Sequence, residues 1–569
     1  MVGVQGSSDS NRELLDAAAL VGHLVPDGSV YAFLAEHRGR VFPDDMFADL
    51  FPSTRGRPSQ PGDVVATVLV LQSLEGLSDR DAIQALRTDL RWKVAVGLAL
   101  DDEGFHPTVL TLWRNKLRAS DRPERIFDAV RDVVAETGVL VNKTRRGLDS
   151  TLLDDAVATQ DTVTQLVSMI RRVRRAIPEA AAAELVGDDY EAGSGKPVCA
   201  WNDPVAREEL VSRLVNDALV VLAAVDDVDL DDDQEQLVGL LALVAGQDVE
   251  PGDTEGTWRI ERGVAKHRVV STVDPESRHM HKSRSSYRDG YKAHVAVEPD
   301  TGLITACDLT PANEGDGPTG IALLADEPAG LDVLADSAYG SGDSLAKLDE
   351  SEHRILIKPW PTHRNPNLGD DQFHRDDFTI DYTARTVTCP NGVTTHLTDN
   401  GTATFGTKCR GCPVRSRCTS AAAGKTFVVS EHDEHLAANR ARWRTDTDLV
   451  DDYRQHRPMV ERTIAWIVAN GHRRVRYRGV ERNRIGLSTR AAVINLKRLL
   501  NLGLHHNGNT WNVAPAHRPP TPPRPPPEAQ QDPTPTTPPQ PPPPPTRNTK
   551  QNTKKKPPQP LQQTTRRLN

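Results

Sequence analysis

The stretch RGLDSTLLDDAVATQDT, residues 146–162, carries an extended, leucine-rich segment into a polar break, and the helical text VTQLVSMIRRVRRAI (163–177) follows at once. A short strand feeding a long helix is the local unit of an α/β fold. A helical, partly acidic stretch continues to about Gln247, and then β-type text returns: HRVVSTVD (267–274), YKAHVAVEPDTGLITACDLTPAN (291–313), LDVLADSAYG (331–340) and HRILIKP (353–359). Alternation in AHVAV and LITACDL about a PDTG turn predicts a hairpin. LDVLAD reads as a buried strand ending in Asp336. After Pro361 comes a loop-rich insert holding four cysteines, then a helix over 449–470, the basic break RRVRYRG (473–479) and a final helix over 488–500. The pattern predicts a mixed sheet flanked by helices.

Working outward, 569 residues exceed one ordinary domain and allow a large buried core. No apolar run approaches the roughly 18 residues that span a bilayer, and the first thirty residues lack a basic start followed by an apolar stretch, so a cytoplasmic protein with no membrane partner is expected. A net charge of −10 taken alone argues against nucleic acid. The average conceals local grouping, because residues 514–569 hold nine Lys/Arg against two Asp/Glu. That segment also contains twenty of the 42 prolines and is expected to be a disordered tail.

Before the first strand the text is helical. VVATVLVLQSL (64–74) is apolar, GLSDRDAIQALR (76–87) has Ser78 placed to cap, and PTVLTLWRNKLR (107–118) sets Leu110, Trp113 and Leu117 on one face with Arg114, Lys116 and Arg118 largely off it. This is either a helix-turn-helix-like unit that contacts DNA or a solvated basic face.

Three carboxylates fall where a two-metal phosphoryl-transfer site requires them: Asp149 on the first strand, Asp336 at the end of a later one and Glu461 on a following helix. Carboxyl ends of strands converge on one sheet edge, and a helix packed beside them brings a third carboxylate to the same point. Mg²⁺ or Mn²⁺ suits such hard oxygen donors. Spacing alone does not select three residues from 79 acidic ones. The surrounding blocks do: LDSTLLDDAVATQDT (148–162), VLADSAYGSGD (333–343) and RPMVERTIAWIVANGHRRVRYRG (457–479) resemble the three catalytic blocks of bacterial insertion-sequence transposases of the DDE class. VSTVDPESRHMHKS (270–283), DGYKAHVAVEPDTGLIT (289–305), LTPANEGD (309–316) and FHPTVLTLWRNKLR (105–118) resemble the same family, so the likeness runs from about residue 51 to 504.

The resemblance implies an RNase H-like catalytic domain, a triad of Asp149, Asp336 and Glu461 holding the metal, and cleavage and strand transfer on double-stranded DNA at terminal inverted repeats and target. It also implies a homo-oligomer on DNA and a nucleoid-associated location. A catalytically silent DNA-binding derivative and a nuclease on the same fold are the alternatives. The expected domains are an N-terminal helical DNA-binding unit over 1–140, the catalytic domain over 141–505 with inserts at about 158–255 and 361–445, and the tail over 506–569.

Placing Pro458 at a first helical position puts Glu461 near a helix start, with Val460, Ile464 and Ile467 as the apolar stripe. Related transposases often set a Tyr and an Arg before this Glu and a Lys about two turns after it. Tyr453 and Arg457 fit loosely; the Lys position, near Val468, is apolar. Arg457, Arg473, Arg474, Arg476 and Arg478 are expected to contact phosphates. Asp154, Asp155 and Asp161 read as helix N-terminal acids and Asp289 as a turn residue before a strand. His279 and His281 are candidates for DNA contact. Cys389, Cys409, Cys412 and Cys418 form C-P-x-G and C-x-x-C-P knuckles that a structural Zn²⁺ would stabilise, or are four unligated thiols. Cys199 and Cys307 read as inert.

Overall fold

Apolar residues at nearly every position of VVATVLVLQSL leave no polar face, and the helix they form, α1 (Gly62–Glu75), is buried on almost all sides. The computed structural model describes residues 4–8, 15–53, 55–187, 190, 196–263, 265, 267–283, 286–362 and 364–514; the expected tail lies almost wholly outside the described residues. Helix α2 (Thr108–Arg118) buries Leu110, Trp113 and Leu117 as its spacing predicts, with the Trp113 ring 5.4 Å from Phe47 and 4.9 Å from Phe51.

The central sheet begins with β1 (Arg145–Asp154), followed by β2 (Arg278–Ser283), β3 (Ser286–Glu298), β4 (Leu303–Pro311), β5 (Asp332–Ala335) and β6 (Arg354–Ile357). Strand β3 runs antiparallel to β1 and pairs with β4 as the predicted hairpin, while β5 is parallel to β1 and β6 to β5. The order β4-β3-β1-β5-β6, in which only β3 is reversed, is RNase H-like. Strand β2 pairs antiparallel with the first residues of β3, ahead of the stretch that pairs with β4.

Between β1 and β2, helices α3 (Thr162–Ala176), α4 (Pro204–Ala224) and α5 (Asp232–Gly246) pack on a core of their own around Leu166, Ile170, Leu214, Val221 and Leu241. Helices α6 (Asp316–Ala322) and α7 (Gly342–Glu350) cover one face of the sheet, where Val333, Ala335, Leu345, Ile355 and Ile357 meet. On the other face lies α8 (Thr447–Val468), whose Leu449 packs with Leu334 and Leu356. Helix α9 (Val480–Asn501) joins β3 and β4 to the N-terminal helices in one continuous core.

Several local expectations are corrected. HRVVSTVD forms no strand. Its backbone is satisfied instead by side-chain amides, with Gln247 accepting from Val269 N at 2.9 Å and Gln160 from Thr272 N at 2.8 Å. Pro458 is interior to α8, which starts eleven residues earlier because Asp446 caps it by accepting from Leu449 N. Helix α9 starts before Ser488, whose hydroxyl donates to the Ile485 carbonyl within the helix. The cysteine-containing insert is not simply loop: short strands at Thr379–Asp381, Thr386–Thr388, Thr394–His396, Thr402–Thr404 and Thr426–Val428 surround Phe378, Phe405 and Phe427.

Candidate active site

Register brings the first two carboxylates together. Arg145 pairs with Asp332 and Gly147 with Leu334, so Asp149 and Asp336, each four residues past the first of these pairs, fall opposite one another where β1 and β5 diverge. Asp336 caps a short turn over Ser337–Tyr339, accepting from Ala338 N at 2.9 Å. Asp149 is buried and accepts from Ser150 N at 2.8 Å.

Helix α8 lies on β1 as closely as glycine permits. A Cβ at Gly147 would stand 2.2 Å from Val460 Cγ2. Val460, Thr463 and Ile467 are buried at this contact, and the helix carries Glu461 beside them with a side chain 66 % exposed. One turn earlier, Arg457 donates from Nη2 to Asp149 Oδ2 at 2.7 Å and from Nη1 to the Leu148 carbonyl at 2.9 Å, and its Nε lies 3.7 Å from Glu461 Oε1. Its guanidinium therefore links Asp149 to Glu461. Asp452 seats the same helix on the other ends of the strands, with oxygens 3.1 Å from Arg145 Nη2, 3.2 Å from Arg354 Nη1 and 3.2 Å from His456 Nε2.

Burial raises Asp149 above the usual carboxylate range and the charge of Asp336 adds to this, while Arg457 and the Ser150 amide oppose it. Burial works against the charge of Arg457, but Asp149, Tyr453 and Asp336 more than compensate and keep it above its ordinary value. Burial also raises the Tyr453 phenol, which lies within electrostatic reach of Asp336, Glu461 and Asp149 alike. The three carboxylates thus face one region, though among the described residues no three His, Cys, Asp or Glu side chains are gathered closely enough to hold a metal ion.

Two family models match the chain, one described as Transposase domain (DUF772) over residues 21–116 and one as Transposase DDE domain over residues 388–500. These transposase domains, the second of the DDE class, support a DNA transposase function for the chain. The first match includes α1 and most of α2, and the second includes the four clustered cysteines, α8 with Glu461 and most of α9. Asp149 and Asp336 lie outside both matches. No curated protein and no solved structure matches the transposase. No helix among its described residues is long and apolar enough to cross a membrane.

The basic residues singled out from sequence are largely engaged within the transposase. Arg114 is paired with Asp79 at 2.7 Å and stacks over Tyr477, Lys116 donates to the Leu50 carbonyl at 2.7 Å, and Arg118 reaches Glu481 at 3.3 Å. Arg457 turns inward to Asp149. Arg473 donates to Thr151 Oγ1 at 2.9 Å and the Leu152 carbonyl at 2.8 Å, Arg474 to the Asp155 carbonyl at 2.8 Å, and Arg476 to the carbonyls of Gly76 and Leu77. Arg474, Arg476 and Arg478 remain at least partly exposed.

Other expectations are revised by contacts invisible in the linear text. Asp289 lies inside β3, where it accepts from Thr159 and pairs with His279, each at 2.6 Å. Of the three acids after β1 only Asp161 caps a helix; Asp154 ends the strand in an ion pair with Arg288, and Asp155 is buried against Ser277 at 2.8 Å. The His281 side chain lies outside the described residues. Cys389, Cys409, Cys412 and Cys418 line one small cavity, and Lys425 N donates to Cys409 Sγ at 3.5 Å. Sequence reasoning missed Asp316, although Lys292 and His294, polar residues at buried positions of the alternating YKAHVAV, were a signal of it.

Proposed function

We propose that this transposase cleaves DNA at the ends of its insertion sequence and joins the freed 3′ ends to target DNA, with Asp149, Asp336 and Glu461 as ligands of Mg²⁺ or Mn²⁺. The observation that carries the reading is the matched register of Asp149 and Asp336 at the edge where α8, seated on Gly147, presents Glu461. Hard divalent ions between such carboxylates activate an attacking water or 3′-hydroxyl and stabilise the leaving oxygen. Arg457 aims the Asp149 carboxylate and opposes the effect of its burial, because a guanidinium paired to a carboxylate favours the charged form. Tyr453, within electrostatic reach of all three carboxylates, would orient a DNA phosphate.

The test is incubation of the purified transposase with its own flanking terminal repeats and Mg²⁺, scored for end cleavage and joining. Products that are absent with the repeats, or undiminished in Asp149→Asn, would remove the reading. The N-terminal helices over 1–140 are proposed to meet the ends and the body over 141–505 to perform the chemistry. The exposed parts of Arg474, Arg476 and Arg478 would lie along the backbone, and two copies would hold two ends. A structural zinc is proposed at Cys389, Cys409, Cys412 and Cys418, four soft donors that line one cavity, although no three of them are gathered closely enough to hold it in this structure. About one zinc per chain by elemental analysis, lost in Cys409→Ser, is the expected result.

A further inference from the structure

On the face of the sheet opposite Arg457 and Glu461, a set of polar side chains is enclosed where the fold would otherwise place apolar ones. The carboxylate of Asp316, at the start of α6, accepts from Ser150 Oγ at 2.7 Å and lies 3.3 Å from Lys292 Nζ. Lys292 is almost wholly buried and also donates to the Glu314 carbonyl at 2.6 Å. His294 is directly across from Ser150 in the β1–β3 ladder. Its Nε2 meets Thr310 Oγ1 at 2.9 Å, while Nδ1 points at Asp316 from 3.8 Å and completes no hydrogen bond. The Tyr339 hydroxyl is also buried, lies against the Ser150 side chain and sits in the field of Asp316.

Orphaned buried polar groups are costly, and a buried ion pair gains little over apolar packing, so stability alone does not account for this set. Its position does. Ser150 follows Asp149 in β1, and Tyr339 closes the turn that Asp336 opens. Gly320 of α6 lies so close to Tyr339 that a Cβ there would stand 2.6 Å from its ring. One carboxylate on the far face therefore touches the chain immediately after one candidate ligand and borders the turn that follows the other.

We propose that Asp316 is a positioning residue: through the Ser150 hydroxyl it fixes the twist of β1 at Asp149, so that the Asp149 carboxylate keeps its aim towards Asp336 and Glu461. The inference rests on the triad proposed above. Groups that orient metal ligands from behind typically change metal affinity by about 10-fold to 100-fold when removed.

The decisive measurement is the Mg²⁺ concentration giving half-maximal end cleavage in the full chain, with thermal melting and end-DNA binding measured alongside. Ser150→Ala removes the hydroxyl but leaves the buried Lys292–Asp316 pair intact. It is expected to raise the Mg²⁺ midpoint about tenfold without changing melting or DNA binding, and Ser150→Thr is expected to restore it. If Ser150→Ala does not fold, Asp316→Asn carries the same expectation of a raised midpoint. A wild-type midpoint in the folded variant overturns the proposal, as does a raised midpoint that Ser150→Thr leaves uncorrected. Asp149→Asn, assayed in parallel, separates the two readings. Cleavage by that variant refutes the triad, whereas its inactivity beside an unaffected Ser150→Ala refutes only the role of Asp316.

Discussion

Gly147 is where the smallest side-chain change has the most direct consequence for the site. The Cβ of Gly147→Ala would meet Val460 at 2.2 Å, so α8 must move off β1 and take Arg457 and Glu461 with it. Overpacking of this kind costs about 1–3 kcal/mol. The expected outcome is a lower melting temperature together with a larger loss of end cleavage than of end binding, measured by calorimetry and gel assays. Asp149→Asn, Asp336→Asn and Glu461→Gln change volume little; each should reduce cleavage to background while melting and end binding stay near wild type. Retained cleavage in any one removes that residue from the proposed triad.

The basic loop after α8 is a connector at the level of elements. Asp154 N donates to the Arg473 carbonyl and Val475 N to the Asp154 carbonyl, each at 2.8 Å, so the loop extends the end of β1. From its other side Asn470 donates to the Leu74 carbonyl, His472 Nε2 meets the Ser73 carbonyl at 2.8 Å, and Arg476 covers Gly76 and Leu77. Cationic and donor side chains thereby satisfy the free carbonyls at the C-terminal end of α1. Gly76, at φ +71°, is required there, because a Cβ would stand 1.9 Å from the Asn470 carbonyl oxygen.

Burial, reinforced by Arg490, lowers His472 to about 4 from its ordinary 6.5. Between those values the unfolded chain binds the proton that the folded chain refuses. The stability associated with neutral His472 is therefore fully present above pH 6.5 and lost as pH falls through about 4. His472→Gln, which keeps a donor for Ser73, should flatten the acid limb of stability against pH by nearly one proton; an unchanged slope would show that other groups govern it. In the same loop, neutralising Arg474 and Arg478 should reduce the salt dependence of binding to specific and random DNA alike, by about 0.9 in log–log slope for each phosphate no longer neutralised. Arg476→Ala should instead lower the melting temperature, since it uncovers the end of α1.

Across the whole molecule, the N-terminal helices and the sheet do not have separate cores. Leu69 and Leu71 of α1, Trp113 of α2, Val295 and Leu303 of the hairpin and Val493 and Leu496 of α9 belong to one apolar cluster. The helical insert has its own. A fragment beginning at residue 141 exposes the face of α9 that the N-terminal helices cover, and it is expected to lose cooperative melting and to become sensitive to limited proteolysis. A cooperative fragment retaining the full-length melting temperature would show that the shared core contributes little.

Alternating AHVAV and LITACDL about PDTG determined the hairpin, LDVLAD the strand before Asp336, and the Val460, Ile464 and Ile467 stripe the helix under Glu461, because each is a short-range periodicity that solvent and one buried face impose locally. The family blocks made Asp149, Asp336 and Glu461 legible as candidates. Tertiary structure decided what these side chains meet. HRVVSTVD has the composition of a strand, yet Gln160 and Gln247, distant in sequence, satisfy its backbone. Arg114 and Lys116 look like a basic face in the text, but Asp79 and the Leu50 carbonyl engage them after folding. Arg457 turned from an expected phosphate contact into the partner of Asp149, and Asp316 became visible only when Ser150, Lys292 and His294 were brought around it. Periodicity records which face of an element is buried; the charge and hydrogen-bond partners waiting on that face come from other elements, and only the packed fold brings them there.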